Sequence, residues 1–408
     1  MKPKALLASA VVACAAGTLL VACAGDSAPS DGEPDDGSPD AGAARDSSNV
    51  DANAEPDAEA GACADCEYFP QDCEAQFLCP TGPYGSGASS LDMRAQLNAI
   101  RGRSRNDVWV VGALGAAAHF DGTSWTRSDV GSGETLRAIW LRDSAEVGFG
   151  TFESIYTRGI DIQEGTPPAP SPDGWTARGA AQVPPFSIYD KSRIQVTSAW
   201  AAPDAEWLWC TTTTYFASQT SGLWRLRVSS TGKPVVDVGI PPATCRDFPC
   251  SQMTNIHGKS ADELWAVGYK GAAVRITGAD GDAPVMSVFN TQTYAALFGV
   301  WVSPESEVWA VGANGTIRRH AGTSLLWDVV TDVPTTEHLR AVSGSSGSDI
   351  WAVGDSGVVL HYDGKSWSRV KVAGLGVRRP DLTAVWVPEP GHVWIAGAGV
   401  ILSLGGLP

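Results

Sequence analysis

The chain has 408 residues, enough for two or three domains or one large all-β domain, and a formal net charge of −16. Most of that charge is local: residues 24–62 hold eleven acids and one base, whereas residues 97–408 hold 29 acids and 25 bases, a net of −4. The larger part has no basic stripe, so nothing in it argues for nucleic-acid binding.

The chain opens Met1-Lys2-Pro3-Lys4 and then runs apolar from Ala5 to Ala22. This reads as a basic n-region and an h-region too short and small-residued for a membrane span. It ends in Leu20-Val21-Ala22-Cys23, which resembles the lipobox of bacterial lipoproteins. The resemblance implies cleavage after residue 22, lipidation of Cys23 and attachment to a membrane through that lipid. An ordinary secretory signal with an incidental Cys is the alternative, and either way the protein is exported. Ala24, not Asp, follows Cys23, which resembles the outer-membrane sorting pattern of enterobacteria.

Residues 23–62 form an acidic tether. Asp, Glu, Ala, Gly, Ser and Pro dominate it, and it cannot bury enough surface to offset its chain entropy. A flexible coil of that length reaches roughly 30–40 Å. Its Asp residues lack the Gly and Glu pattern of a calcium loop. No metal-ligand set and no cofactor motif is read from the chain.

Residues 63–96 are a Cys-rich segment. Cys63, Cys66, Cys73 and Cys79 have spacings that suit a zinc knuckle, but in an exported protein two disulfides are the better reading. Cys245 and Cys250 look like a third bridge. Cys210 is left as the odd thiol inside an apolar run, where a free Cys behaves as a small hydrophobe.

From residue 97 the chain repeats. Val108-Trp109-Val110-Val111-Gly112 recurs at Leu264–Gly268, Val308–Gly312, Ile350–Gly354 and Val393–Gly397, with weaker copies at Glu146–Gly150 and Leu208–Thr211. From Trp265 onward the Trp spacings are 44, 42 and 43 residues. One strand precedes each anchor, written Leu97-Asn-Ala-Ile, Leu136-Arg-Ala-Ile, Met253-Thr-Asn-Ile, Leu297-Phe-Gly-Val, Leu339-Arg-Ala-Val and Leu382-Thr-Ala-Val, with Val196-Thr-Ser-Ala as a looser copy. A third strand follows each anchor, and a fourth is led by Trp125, Trp175, Trp327 or Trp367. Four short β-rich runs per ~43 residues, seven times, predict an all-β, seven-bladed β-propeller of four-stranded antiparallel blades over residues 97–408. Each blade is buried on both faces, so its second strand is continuously apolar. All 16 Trp lie after residue 97 and are expected mainly as wedges between blades. Gly density and the lack of a 3.6-residue period exclude a helical solenoid. The last repeat stops at Leu402-Ser-Leu-Gly-Gly without a fourth strand, so a segment between roughly Phe77 and Met93 is expected to close the ring.

Asp121-Gly-Thr-Ser-Trp125 and Asp363-Gly-Lys-Ser-Trp367 carry a resemblance to Asp-box propellers. Asp173-Gly-Trp175 and Gly322-Thr-Ser with Trp327 are partial copies. The repeats are similar to those of photosystem II assembly factor-like proteins and of bacterial lipoproteins built the same way. The resemblance implies fold over 97–408, with the box as a structural turn. Blades 3, 4 and 7 lack the box.

Gly354-Asp-Ser-Gly357 resembles the surroundings of a protease nucleophile. Aligned copies keep both Gly and vary the pair between freely, so it reads as a hairpin turn in which Gly supplies positive φ. Asp107, Glu263, Glu307 and Asp349 each stand two residues before a strand-two Trp. Because they repeat, they are expected to cap backbone N–H groups in a turn rather than to catalyse. The position ending strand one varies: Arg101, Trp140, Trp200, His257, Trp301, Ser343 and Trp386. In a propeller these cluster at one rim of the central channel, where the Trp, Arg and His form a candidate platform for a sugar or peptide. Inter-blade packing is the competing reading. Loops of blades 2 and 3 (Ile160–Arg193, Thr211–Gly222, Val238–Ser251) break the repeat and are the other candidate interaction site. The expected function is a non-enzymatic, envelope-anchored scaffold for a protein or glycan partner. The alternative is a sialidase-like glycosidase or lyase, whose Phe/Tyr-Arg-Ile-Pro motif this chain lacks.

Overall fold

The computed structural model describes residues 65–406 apart from 86, 88, 162–167, 180–193, 214–219 and 230. Seven four-stranded antiparallel sheets are arranged as the blades of a propeller. Blade 1 comprises Leu97–Ser104, Asp107–Gly112, Ala117–Phe120 and Trp125–Arg127. Blades 2 to 6 follow the same order of four consecutive strands. Runs of Val, Ile and Trp favour the pleated, doubly covered surface, and Gly and Asp turns end them.

Ring closure is as the truncated last repeat requires. Leu382–Glu389, His392–Gly397 and Val400–Leu404 supply three strands of blade 7, and Leu78–Thr81 supplies the fourth. Leu78 pairs with Leu404 and Thr81 with Ile401, antiparallel. Disulfides join Cys73 to Cys79, which lies in this strand, and Cys245 to Cys250 in the connection after blade 3. Cys66 is also disulfide-bonded. Cys63, Cys23 and the tether lie outside the described residues. Cys210 is free and fully buried, and burial pushes its thiol up.

Trp residues wedge the blades apart in a repeating way. The strand-two Trp of one blade meets the strand-four Trp of the next edge-on. Trp109 and Trp175 lie 5.7 Å apart at 82°, and Trp394 and Trp125 5.4 Å apart at 83°. Trp265–Trp327 and Trp309–Trp367 repeat the arrangement at 5.7 and 5.9 Å. Such pairs add about 0.5–1.5 kcal/mol beyond their buried area.

Two expectations need correction. Between strands two and three, the first Gly of each turn (Gly112, Gly268, Gly312, Gly354) is extended rather than positive in φ. It is required because a Cβ on Gly354 would stand 2.1 Å from the His338 carbonyl oxygen. The positive φ falls on the second Gly and on the residue before it: Leu114, Lys270, Asn314 and Ser356 have φ of 58°, 58°, 54° and 56°. That position therefore does not vary freely in energy, since only Asn among the four tolerates it well.

Three of the repeated acids, in turn, bond to side chains of strand three rather than capping a turn. Asp107 and Asp349 accept from His119 and His361 on strand three, each at 2.8 Å, and Glu307 pairs with Arg319. Burial works against the charge on Asp349, yet bonds from Ser345, His361 and Trp351 hold its carboxyl below the usual range. The true turn-closing acids are Asp121 and Asp363. Each Oδ1 accepts two backbone N–H groups at 2.9 Å, which lowers both carboxyls.

Candidate functional site: the central channel

First strands of all the blades line a central cavity of about 350 Å³. Six of the seven carry a bulge one residue in, as between Leu97 and Ala99. A bulge re-aims the extra side chain. Here it sends that side chain to the next blade's carbonyl. Asn98 donates to Leu136 O at 2.8 Å and Thr197 to Met253 O at 2.8 Å, while Thr254 and Thr383 donate to Leu297 O and Leu97 O. Three blades place Arg137, Phe298 and Arg340 at this level instead, with Tyr269 beside them. Arg340 pairs with Asp355 at 2.6 Å and lies 4.8 Å over the Phe298 ring. This position stands second in the Leu97-Asn, Leu136-Arg and equivalent strand-one motifs of the repeats. Its alternation of Thr, Asn and Arg was the available signal.

Three residues further along, the end of strand one gathers Arg101, Trp200, His257, Trp301, Ser343 and Trp386 around the cavity. Trp140 does not join them. It is 5% exposed, packs in the core between blades 2 and 3, and has Arg142 4.8 Å from its ring.

The other three Trp are committed to seams as well as to the channel. A Cβ on Gly102 would stand 2.3 Å from Trp386, one on Gly258 2.3 Å from Trp200, and one on Gly344 2.9 Å from Trp301. Each indole thus lies across a glycine of the following blade. Where the strand ends in a smaller polar group, the following blade is bulkier and donates to it: Val302 N–H to His257 Nδ1 and Val387 N–H to Ser343 Oγ, both at 3.2 Å. The flat aromatic platform is therefore largely inter-blade packing, and the polar members are the groups left facing the cavity.

Those polar members are all donors. His257 accepts at Nδ1, so its proton sits on Nε2. Burial and the positive charge of Arg101 push His257 down to about 3, so it stays neutral. Arg101 spends Nη1 on the Ile100 carbonyl at 2.9 Å and has no carboxylate partner among the described residues. Burial pulls its guanidinium below its ordinary range. Among the described residues no Asp or Glu lines the cavity. Among the described residues there is also no cluster of His, Cys, Asp and Glu able to hold a metal.

The candidate loops of blades 2 and 3 fall partly outside the described residues. The described piece beyond Val238 folds as a short helix, Pro242–Asp247, closed by the Cys245–Cys250 bridge and tied back through Gly222 N–H to Cys250 O at 2.8 Å.

No family model matches the chain, and no curated protein sequence matches it. Solved structures do. One titled YCF48 bound to D1 peptide aligns with a TM-score of 0.54 and 13% identity, over 80% of this chain and 97% of its own. YCF48 from Cyanidioschyzon merolae gives 0.56 and 13%, over 77% and 97%. A streptogramin B lyase gives 0.56 and 14%, over 81% and 98%. At such identities the likeness is one of fold, and the fold these neighbours share with this chain is the β-propeller.

Proposed function

We propose that this chain is an exported lipoprotein, anchored through Cys23, whose propeller serves as a non-enzymatic binding scaffold. The observation that carries this reading is the character of the channel: Arg101 has no counter-ion, His257 is neutral, and among the described residues no carboxylate lines the cavity. A glycosidase needs two carboxylates flanking the scissile bond, and a lyase needs a competent base. A histidine held neutral down to about pH 3 is a weak base. A similar fold has been seen bound to a peptide, which favours a protein partner over a glycan. The test is capture from envelope extract by the full-length chain, beside Ala341→Trp, which plugs the channel. Wild type should retain a partner that the plugged variant loses, and neither should turn over glycans. Turnover, or capture by neither protein, would overturn the reading. Fatty-acid labelling that disappears in Cys23→Ser tests the anchor.

A further inference from the structure

We propose that the end of the channel around Arg101, His257 and Ser343 is a receptor for one carboxylate group on an apolar body. The inference rests on the scaffold reading and names the chemistry of what that scaffold holds.

Three observations converge. First, Arg101 brings a permanent positive charge to the propeller axis without a counter-ion. Only Nη1 is used within the protein, and the remaining N–H groups, unpartnered, are not among the sealed-off polar atoms, so they stay open to the cavity. An uncompensated cation this deep is costly to keep unless something pairs with it. Second, two neutral donors face the same space. His257 has its Nδ1 filled by Val302 N–H, leaving Nε2–H unpartnered and unsealed. Ser343, 8% exposed, has Oγ accepting from Val387 N–H, so its own proton is free to donate. Third, among the described residues no acid lines the cavity to compete.

The ligand class follows from charge and shape. One uncompensated cation at this end, beside a neutral imidazole, balances one negative charge. That suits a carboxylate better than a phosphate dianion. The planar guanidinium fork matches a planar carboxylate. Beside polar groups such as Ser198 and Asn255, the wall carries Ala99, Ile139, Val300, Val342, Trp200 and Trp386 as its apolar part. An apolar body on the acid fits it. Arg137, the other described channel arginine without an ion pair, belongs to blade 2 at the level of Asn98, three residues and so about 10 Å along the channel from the level of Arg101, and serves as an internal control.

The carboxylate could belong to a small free acid or to the C-terminus of a polypeptide. Titration of the full-length protein by fluorine NMR, with 4-fluorobenzoate against 4-fluorobenzamide, reads the shared chemistry. Benzoate should bind in the millimolar range or tighter, and the amide at least tenfold more weakly. Arg101→Gln should lose tenfold or more. Arg101→Lys, which keeps charge but not the fork, should lose less, Ser343→Ala a few-fold, and Arg137→Gln less than twofold. A circular dichroism melt of each variant establishes that it folds. An octapeptide of alternating Ala and Val, as free acid and as amide, then separates the sources: tighter than benzoate means a chain end, weaker means a small acid. Equal binding of acid and amide, undiminished binding by folded Arg101→Gln, no binding of benzoate, or stronger binding of inorganic phosphate would each overturn the proposal. A partner captured equally by wild type and Arg101→Gln would leave the scaffold standing and sink this inference. Benzoate binding with no captured partner would do the reverse.

Discussion

The indole of Trp386 lies so close across Gly102 that a Cβ on that glycine would stand 2.3 Å from the ring and 2.7 Å from the Asp107 carbonyl oxygen. This contact joins the innermost strand of the last blade to that of the first, across the ring seam. Gly102→Ala is expected to cost about 1–3 kcal/mol by overpacking. Trp386→Leu in the same chain should return part of that loss, because the two residues share one space. Urea denaturation of both single variants and the double variant measures the coupling, and strict additivity would refute the contact.

Glu146 is 3% exposed and lies between Arg103, at 2.8 Å, and Arg158, at 3.1 Å. Arg103 belongs to blade 1, so one carboxylate neutralises a cation on each side of the seam. Glu146→Ala takes the carboxylate from Arg158 and leaves Arg103 only Asp107, at 3.1 Å, and a loss of about 1–3 kcal/mol is expected in chemical denaturation. A loss under 1 kcal/mol would show the bridge to be dispensable.

Leu114 is 59% exposed with φ of 58°, a left-handed position that a branched side chain occupies at a cost. Leu114→Asn should stabilise by about 0.5–1 kcal/mol, read as a rise in Tm. One residue on, Gly115→Ala should destabilise, since its Cβ would meet the Ser132 carbonyl oxygen at 1.8 Å.

His257 gives stability a pH dependence whose sign is fixed. Its folded-state pKa is depressed to about 3, below the ordinary 6.5, chiefly by burial and then by Arg101. The unfolded chain therefore binds the proton first as pH falls. Stability is fully present above about pH 6.5 and declines toward pH 3. The other titratable groups on the cavity wall are Arg101, Arg137, Arg340 and Tyr269, and none of them is a carboxylate or a second histidine. His257→Asn keeps an acceptor for Val302 N–H and should flatten the decline by about 1–3 kcal/mol between pH 7 and 4.5. Parallel denaturation curves of the two proteins across that range would contradict it.

The seven-fold repeat was legible because Trp265, Trp309, Trp351 and Trp394 recur at near-constant spacing, and the missing last strand because Leu402-Ser-Leu-Gly-Gly stops short. The rim was legible only as a ring of positions. What the residues there do depends on pairs such as Trp386 with Gly102, or His257 with Val302, which lie in adjacent blades and follow no local pattern. The same holds for Asp107. Its spacing from Trp109 was visible, but its partner, His119, becomes a neighbour only once strand two pairs with strand three.

The central claim is that this propeller holds a partner without transforming it. Mass spectrometry of material captured by the full-length protein, compared with the same material before capture, tests this most directly. The expected result is one retained species of unchanged mass, released when Ala341→Trp closes the channel. A captured species that returns cleaved or otherwise altered in mass would contradict it.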